Sequence, residues 1–404
     1  MQLNPYIIVI ILSSIVILSY FYTVISKKTN IPSVLLLIAT GVGIKYLTTQ
    51  YGFAAQNVEP LVKVLGAVGL VMIILEAALD LDIHKEKLSL IRNSFFSALM
   101  IFIISSVAIM YLIVYLLNEP FDKAFIYAVP LSIISSAIVI PSTSHLPEMK
   151  KEFIIYEASF SDIIGILVFN YMIMTKVMNF QSTLFFAGRI GLAIVISAVA
   201  SILLIYMLSK IEGILKFFLV FAILSIVYAS GELIHLPALI IILVFGSLLN
   251  NSSLIIRGPL RKIIPQENIT DILKLMKTVT AETSFLVRTF FFILFGYTIN
   301  LAVLIEQDVI TIGTVIVMIL LVARYIYLRV ILKANLFPEL FLMPRGLVTI
   351  LLFYSIPVSK QLTNFKVGII FYVVVVTSLL MMVGLIFFKK EDTNYLQTTE
   401  DAAI

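Results

Sequence analysis

Glu157, Asp162 and Arg345 sit inside stretches too apolar to hold charge idly: KKEFIIYEASFSDIIGILVFNYM carries both acids, and LFPELFLMPRGLVTILLFYSIP carries the arginine. At bilayer depth such a group costs about 2.5–3.5 kcal/mol even on a lenient insertion scale, so each needs a partner or a function. Five residues along a helix is a rotation of roughly 140°, so Glu157 and Asp162 face different ways and form no carboxylate dyad. Depth alone pairs Glu157 with Arg345 as a fixed, structural ion bridge. That leaves Asp162 alone. A lone carboxylate near the midplane titrates readily and can hold, in turn, a proton or a hard monovalent cation. The competing reading makes Asp162 a structural carboxylate bonded to a neighbouring helix. Ser159 shares its face and Ser161 adjoins it, so both are candidate oxygen donors. Glu76, in LVMIILEAALDLDI, reads equally as an access-path carboxylate or as an interfacial acid followed by Asp80 and Asp82.

Residues at such depths need elements that cross a membrane. Of 404 residues, 61% are hydrophobic and 13% charged, and the mean hydropathy is +1.11. A soluble chain of that length carries roughly a quarter charged residues. The expected fold is therefore an all-α polytopic membrane protein. Its apolar stretches number thirteen, near 5–25, 31–49, 58–81, 93–117, 124–147, 153–175, 182–209, 215–231, 236–250, 281–300, 305–328, 337–357 and 367–388. Cysteine is absent, which excludes disulfides, thiol nucleophiles, iron–sulfur clusters and zinc–thiolate sites. The three histidines, His84, His145 and His235, are scattered without helical pairing, so no H-E-x-x-H site exists and no cofactor is expected. The net charge of +5 does not indicate nucleic-acid binding, because the basic residues lie in short loops.

Loop charge orients the chain. Of 28 Lys and Arg, eighteen follow odd-numbered stretches, only Lys123, Lys176, Lys360 and Lys366 follow even-numbered ones, and six lie inside stretches. Positive residues stay cytoplasmic, so the N-terminus is expected outside and the C-terminus in the cytoplasm of a multi-pass inner (cell) membrane protein. Only Met1 to Asn4 precede the first stretch, so no cleavable signal is expected; residues 391–404 read as a short cytoplasmic tail without a regulatory domain.

Two stretches read as broken helices. The fifth, YAVPLSIISSAIVIPSTSHL, holds Pro130, the pair Ser135–Ser136, and Pro141; the twelfth holds Pro338, Pro344 and Gly346. Proline removes a helix donor and glycine weakens the helix, which permits unwound backbone where it lines a site. An odd offset of seven makes the two cross the membrane in opposite senses, as in inverted repeats of six stretches around a linking seventh. Paired interrupted helices at matching positions point to a transport site near the midplane. Among the remaining intramembrane cations, Arg324, Arg189 and Lys63 are expected to snorkel to the interfaces. Arg288 is assigned to Glu282, and the amphipathic run ITDILKLMKTV is expected to lie along the inner interface.

Taken together and in order, IPSVLLLIATGVGI, IILEAALDLDI, EASFSDIIGI and PRGLVTI resemble the second, third, sixth and second interrupted helices of bacterial NhaP-type monovalent cation/proton antiporters, over roughly residues 5 to 390. The resemblance implies thirteen helices and a homodimer. It implies a core bundle (93–175 and 305–388) moving like an elevator against dimerisation helices (5–81 and 215–300), within one transporter domain, 1–390. Asp162 would then bind ion and proton with Ser159, Ser161, Glu76, Ser135 and Ser136 near it. Glu157 and Arg345 would form the core bridge, and Pro141, Pro344 and Gly346 would mark the interruptions. Ser161 stands where electroneutral relatives have Asn and electrogenic ones Asp; with a single carboxylate the expected exchange is one-for-one. SSAIVIP replaces the usual Asp-Pro pair and is closer to potassium-efflux relatives.

The expected partners are transported Na⁺ or Li⁺, bound at Asp162, together with H⁺ and the lipid bilayer, with K⁺/H⁺ exchange as the alternative. Activity should fall at acid pH, where protons win the carboxylate. An intramembrane enzyme would need a clustered nucleophile–base pair or a metal triad, and a channel would need repeated ligand rings; the sequence contains neither.

Overall fold

The structure, a computed structural model, describes residues 5–29, 31–51, 59–81, 85–143, 146–175, 180–210, 216–233, 238–252, 266–333 and 336–388. His84, His145 and His235, the loop cations Arg257, Arg261, Lys262, Lys389 and Lys390, and the tail 391–404 lie outside them. Every regular element among the described residues is helical, and eight helical stretches are long and apolar enough to cross a membrane, with two shorter apolar helices beside them. The fold is an all-α polytopic bundle, and each of the thirteen apolar stretches carries helix.

The first half runs α1 (Pro5–Thr29), α2 (Ser33–Gln50), α3 (Glu59–Asp80), α4 (Leu88–Leu117), a broken pair α5 (Phe121–Ser132) and α6 (Ser136–Ser142), then α7 (Glu148–Met174). After α8 (Phe180–Lys210), the second half runs α9 (Lys216–Leu233), α10 (Ala238–Asn250), α11 (Gln266–Thr298), α12 (Gln307–Ile326), α13 (Leu347–Tyr354) and α14 (Gly368–Phe387). Helix α7 carries Glu148, Lys150, Lys151, Glu152, Glu157 and Asp162, yet Glu157, Ala158, Ser159, Ser161 and Asp162 are all buried. Charge inside this helix is sheltered by protein.

Two expectations fail on α11. The amphipathic run ITDILKLMKTV is not a separate interfacial helix but the first third of a continuous helix of 33 residues, about 50 Å long. No proline or glycine interrupts that helix before Gly296 to turn it into the membrane plane, and its apolar side, Ile272 and Met276, is buried in the bundle. Arg288 does not answer Glu282, which is exposed; it reaches Glu76 of α3 at 3.5 Å. Six residues along a helix is a rotation of about 240°, which sets Arg288 and Glu282 on different faces.

Helices α2 and α11 touch backbone to backbone. A Cβ on Gly41 would stand 2.0 Å from the Ile293 carbonyl oxygen, and one on Gly296 would stand 2.3 Å from that of Ile38. Small residues allow such approach where lipid supplies no hydrophobic drive between helices. Gly296→Ala should therefore lower stability by about 1–3 kcal/mol, the usual cost of overpacking. A thermal melt in detergent that matched wild type would refute this.

Candidate functional site

Only the second break falls on a proline, Pro344. The fifth stretch unwinds at Ile133–Ser135, which is extended backbone between α5 and α6, while Pro130 stays in the last turn of α5 and Pro141 in that of α6. In the twelfth stretch one 3-10 turn, Glu339–Phe341, is followed by non-helical backbone through Pro344 and Gly346 before α13 begins. The two breaks are tied directly, Ser135 N–H donating to the Pro344 carbonyl at 2.9 Å. Gly346 keeps the crossing close, since a Cβ there would lie 2.6 Å from Ser135 Oγ and 2.7 Å from Ile138 Cδ1. Gly165 of α7 does the same from the other side: its Cβ would stand 2.2 Å from two atoms of the fully buried Ile133.

Asp162 lies against this crossing, 3% exposed. Its Oδ2 accepts a hydrogen bond from the Ser136 hydroxyl at the first turn of α6, and the Ser136 amide also faces the carboxylate. Ser161, one residue earlier, accepts from the Ile134 N–H at 2.9 Å and so fastens α7 to the unwound segment. Asp162 Oδ1, Ser135 Oγ, Ser159 Oγ and Thr349 Oγ1 are buried and have no hydrogen-bond partner among the described residues. Leaving a buried polar atom unpaired costs about 1–3 kcal/mol, so oxygens left bare at such a crossing need an explanation. Thr349, one turn beyond Gly346, went unremarked in the sequence because a single threonine in an apolar helix carries no pattern.

Glu157 has a different partner from the one expected. Its Oε2 accepts from Arg324 Nη2 at 2.6 Å and its Oε1 from Ser97 Oγ of α4 at 2.5 Å; the ion pair is 0% and 1% exposed. Arg324 therefore does not snorkel. A π turn, Tyr327–Ile331, carries α12 on beyond Ile326, so Arg324 lies deeper than an end at residue 328 suggested. Its Nε also donates to the Glu339 carbonyl at 2.5 Å, and the Glu339 carboxylate pairs with Lys150 of α7 at 3.0 Å. This closes a ring from α7 through the broken twelfth stretch to α12 and back to α7.

Arg345 pairs with no carboxylate among the described residues. Its Nε donates to Leu131 O at 2.7 Å, Nη1 to Met343 O at 2.7 Å and Nη2 to Ser132 O at 3.4 Å. Helix α5 ends there with unsatisfied carbonyls and the negative end of its dipole, and a guanidinium neutralises both. Depth placed Arg345 at the level of Glu157, but which face a side chain occupies cannot be read from depth. Two further cations cap helix ends in this way. Lys45 donates to Ile299 O at 2.8 Å just beyond α11, and Lys360 to the Met172, Ile173 and Thr175 carbonyls at 2.5–3.1 Å at the end of α7. Glu76, whose described ion pair is with Arg288, sits on α3, outside the crossing.

The chain matches the family model of the transmembrane sodium/hydrogen exchanger over residues 12–389. No curated protein sequence matches it. Among solved structures it is similar to the sodium proton antiporter MjNhaP1 of Methanocaldococcus jannaschii at pH 8, with a TM-score of 0.70 at 16% identity, covering 95% of this chain and 99% of that one. An electron-microscopy structure of the same antiporter gives a TM-score of 0.67 at 16% identity, covering 96% and 95%.

Proposed function

The chain belongs to the sodium/hydrogen exchanger family, and on that premise we propose that it is a secondary antiporter exchanging cytoplasmic Na⁺ or Li⁺ for external H⁺, one for one, through alternating exposure of Asp162. The observation that carries this reading is a buried carboxylate, the one at the crossing of two broken helices among the described residues, with one oxygen held by Ser136 and the other without a partner among them. A monovalent cation entering there exchanges its hydration shell for Asp162 Oδ1 and the hydroxyls of Ser159 and Ser135. Protonation of Asp162 removes the charge that holds the cation, so one site carries either cargo but not both. Two protons would require a second acid beside it; Ser161 and Ser136 occupy those places, which supports electroneutral exchange.

In this account the core bundle is 93–175 with 305–388, the helices 5–81 and 215–300 form the scaffold of a homodimer, and the N-terminus lies outside. The Glu157–Arg324 pair holds the core together and Arg345 holds the break open as a helix cap. Glu76 stands on the inner approach. Potassium is the second reading, favoured by the Ser135–Ser136 pair, since neutral oxygens suit a larger and more weakly hydrated ion.

The reading is tested by proton flux in proteoliposomes with Na⁺, Li⁺ and K⁺ added in turn. One of the three should dissipate an imposed pH gradient, the effect fading toward acid pH; a gradient that survives all of them would dismiss the proposal. Ser136→Ala should raise the apparent KM for that cation about tenfold or more, since a hydrogen bond to a charged group contributes about 1.5–3 kcal/mol. An unchanged KM would take Ser136 out of the site.

A further inference from the structure

A cavity of about 220 Å³ lies between α3, α7, α9, α10 and α13, its wall including Ala67, Leu70, Asn170, Tyr228, Leu352 and Ser355. Each lies in the part of its helix that the loop charges turn outward: the first half of α3, the far ends of α7, α9 and α13, and the start of α10. The space has room for several waters, and the Tyr228 and Ser355 side chains on its wall are polar. A second, separate void of about 20 Å³ lies further inward along α7, lined by Ile163 and Ile166. Ile163 adjoins Asp162. The walls of that void are aliphatic with one exception, Asn170, which lines both spaces. Its Nδ2 is buried and has no hydrogen-bond partner among the described residues. Eight residues separate Asn170 from Asp162, about 12 Å along the axis.

An amide is costly to bury unpaired at the neck of an apolar passage, unless what passes bonds to it. We propose that the larger cavity is the outer antechamber of the transport path, and that Asn170 is the polar station at its inner end, through which protons and a partly dehydrated monovalent cation pass between outside water and Asp162. This rests on the antiport reading above. Asn170 offers an acceptor to a cation or to the hydrogens of water and a donor to water oxygen, without a charge that would trap the ion.

The absence of cysteine from the chain makes a direct test possible. Asn170→Cys, reconstituted in one orientation, is treated from either side with a membrane-impermeant, positively charged methanethiosulfonate. Labelling by mass spectrometry should be at least tenfold faster from outside, slow when the transported cation is in excess there, and cut flux at least tenfold. Sidedness is read from the mass alone, so it stands even where the variant transports poorly. Asn170→Leu gives a second readout: maximal flux should fall at least tenfold, because the neck is then wholly apolar. Labelling from inside only, equal labelling from both sides, no labelling, or full flux after modification or in the leucine variant would overturn the inference. Asp162→Asn runs alongside: if it still transports, the antiport reading fails, whereas if it is inert and Asn170 fails these tests, only the antechamber falls.

Discussion

Asp162→Asn is expected to abolish cation-driven proton flux, by about a hundredfold or more, because the amide can neither release a proton nor neutralise a cation. The fold should survive. An amide still accepts from the Ser136 hydroxyl, and replacing a buried ionisable group with a neutral one removes a desolvation cost rather than adding one. The variant should therefore melt at or above the wild-type temperature while losing stabilisation by the transported cation. Loss of flux together with a lowered melting temperature would instead make Asp162 a structural residue. Flux within a few-fold of wild type would remove it from the mechanism altogether.

The second large effect concerns stability. Arg324→Met leaves Glu157 charged and buried with the Ser97 hydroxyl as its remaining partner among the described residues, and should cost about 3–5 kcal/mol, the usual penalty for removing one partner of a buried pair. Pairing it with Glu157→Leu should recover most of that loss, since replacing both charges with apolar groups is often nearly neutral. Arg345→Met should also destabilise, through stranded carbonyls at Leu131, Ser132 and Met343, but Glu157→Leu should rescue it far less. A double-mutant cycle in denaturant decides the matter: coupling of Glu157 to Arg345 as large as that to Arg324 would contradict this pairing.

Much of the architecture was legible in the sequence. Thirteen apolar runs, the two proline-rich interruptions and the 140° between Glu157 and Asp162 need only composition and helix geometry. Side-chain partners across helices were less accessible. Glu157 was paired by depth with Arg345, and the structure pairs it with Arg324, because depth leaves azimuth free and the π turn after Ile326 shifts the apparent end of α12. Arg288 was given a partner on its own helix when its face belongs to Glu76. Ser135 and Ser136 looked equivalent as a pair, yet where the helix restarts between them their roles separate: Ser135 ties its backbone to Pro344, and Ser136 turns its hydroxyl to Asp162. Gly165 carried no signal, since its role appears only once Ile133 is packed against it.

The cap formed by Arg345 bears on which ligands a travelling ion can use. Main-chain oxygens at an opened helix are good ligands for an alkali metal, and those of Leu131 and Ser132 adjoin the unwound residues 133–135. Both already receive hydrogen bonds from a guanidinium that cannot leave. If Asp162 binds the transported ion as proposed, the resident guanidinium acts as a stopper in a decoy site: a visiting cation is denied the oxygens immediately before the break and meets hydroxyl and carboxylate oxygens instead. On the proposed reading, coordination at this crossing would be set by which carbonyls the chain has withheld as much as by the side chains it presents.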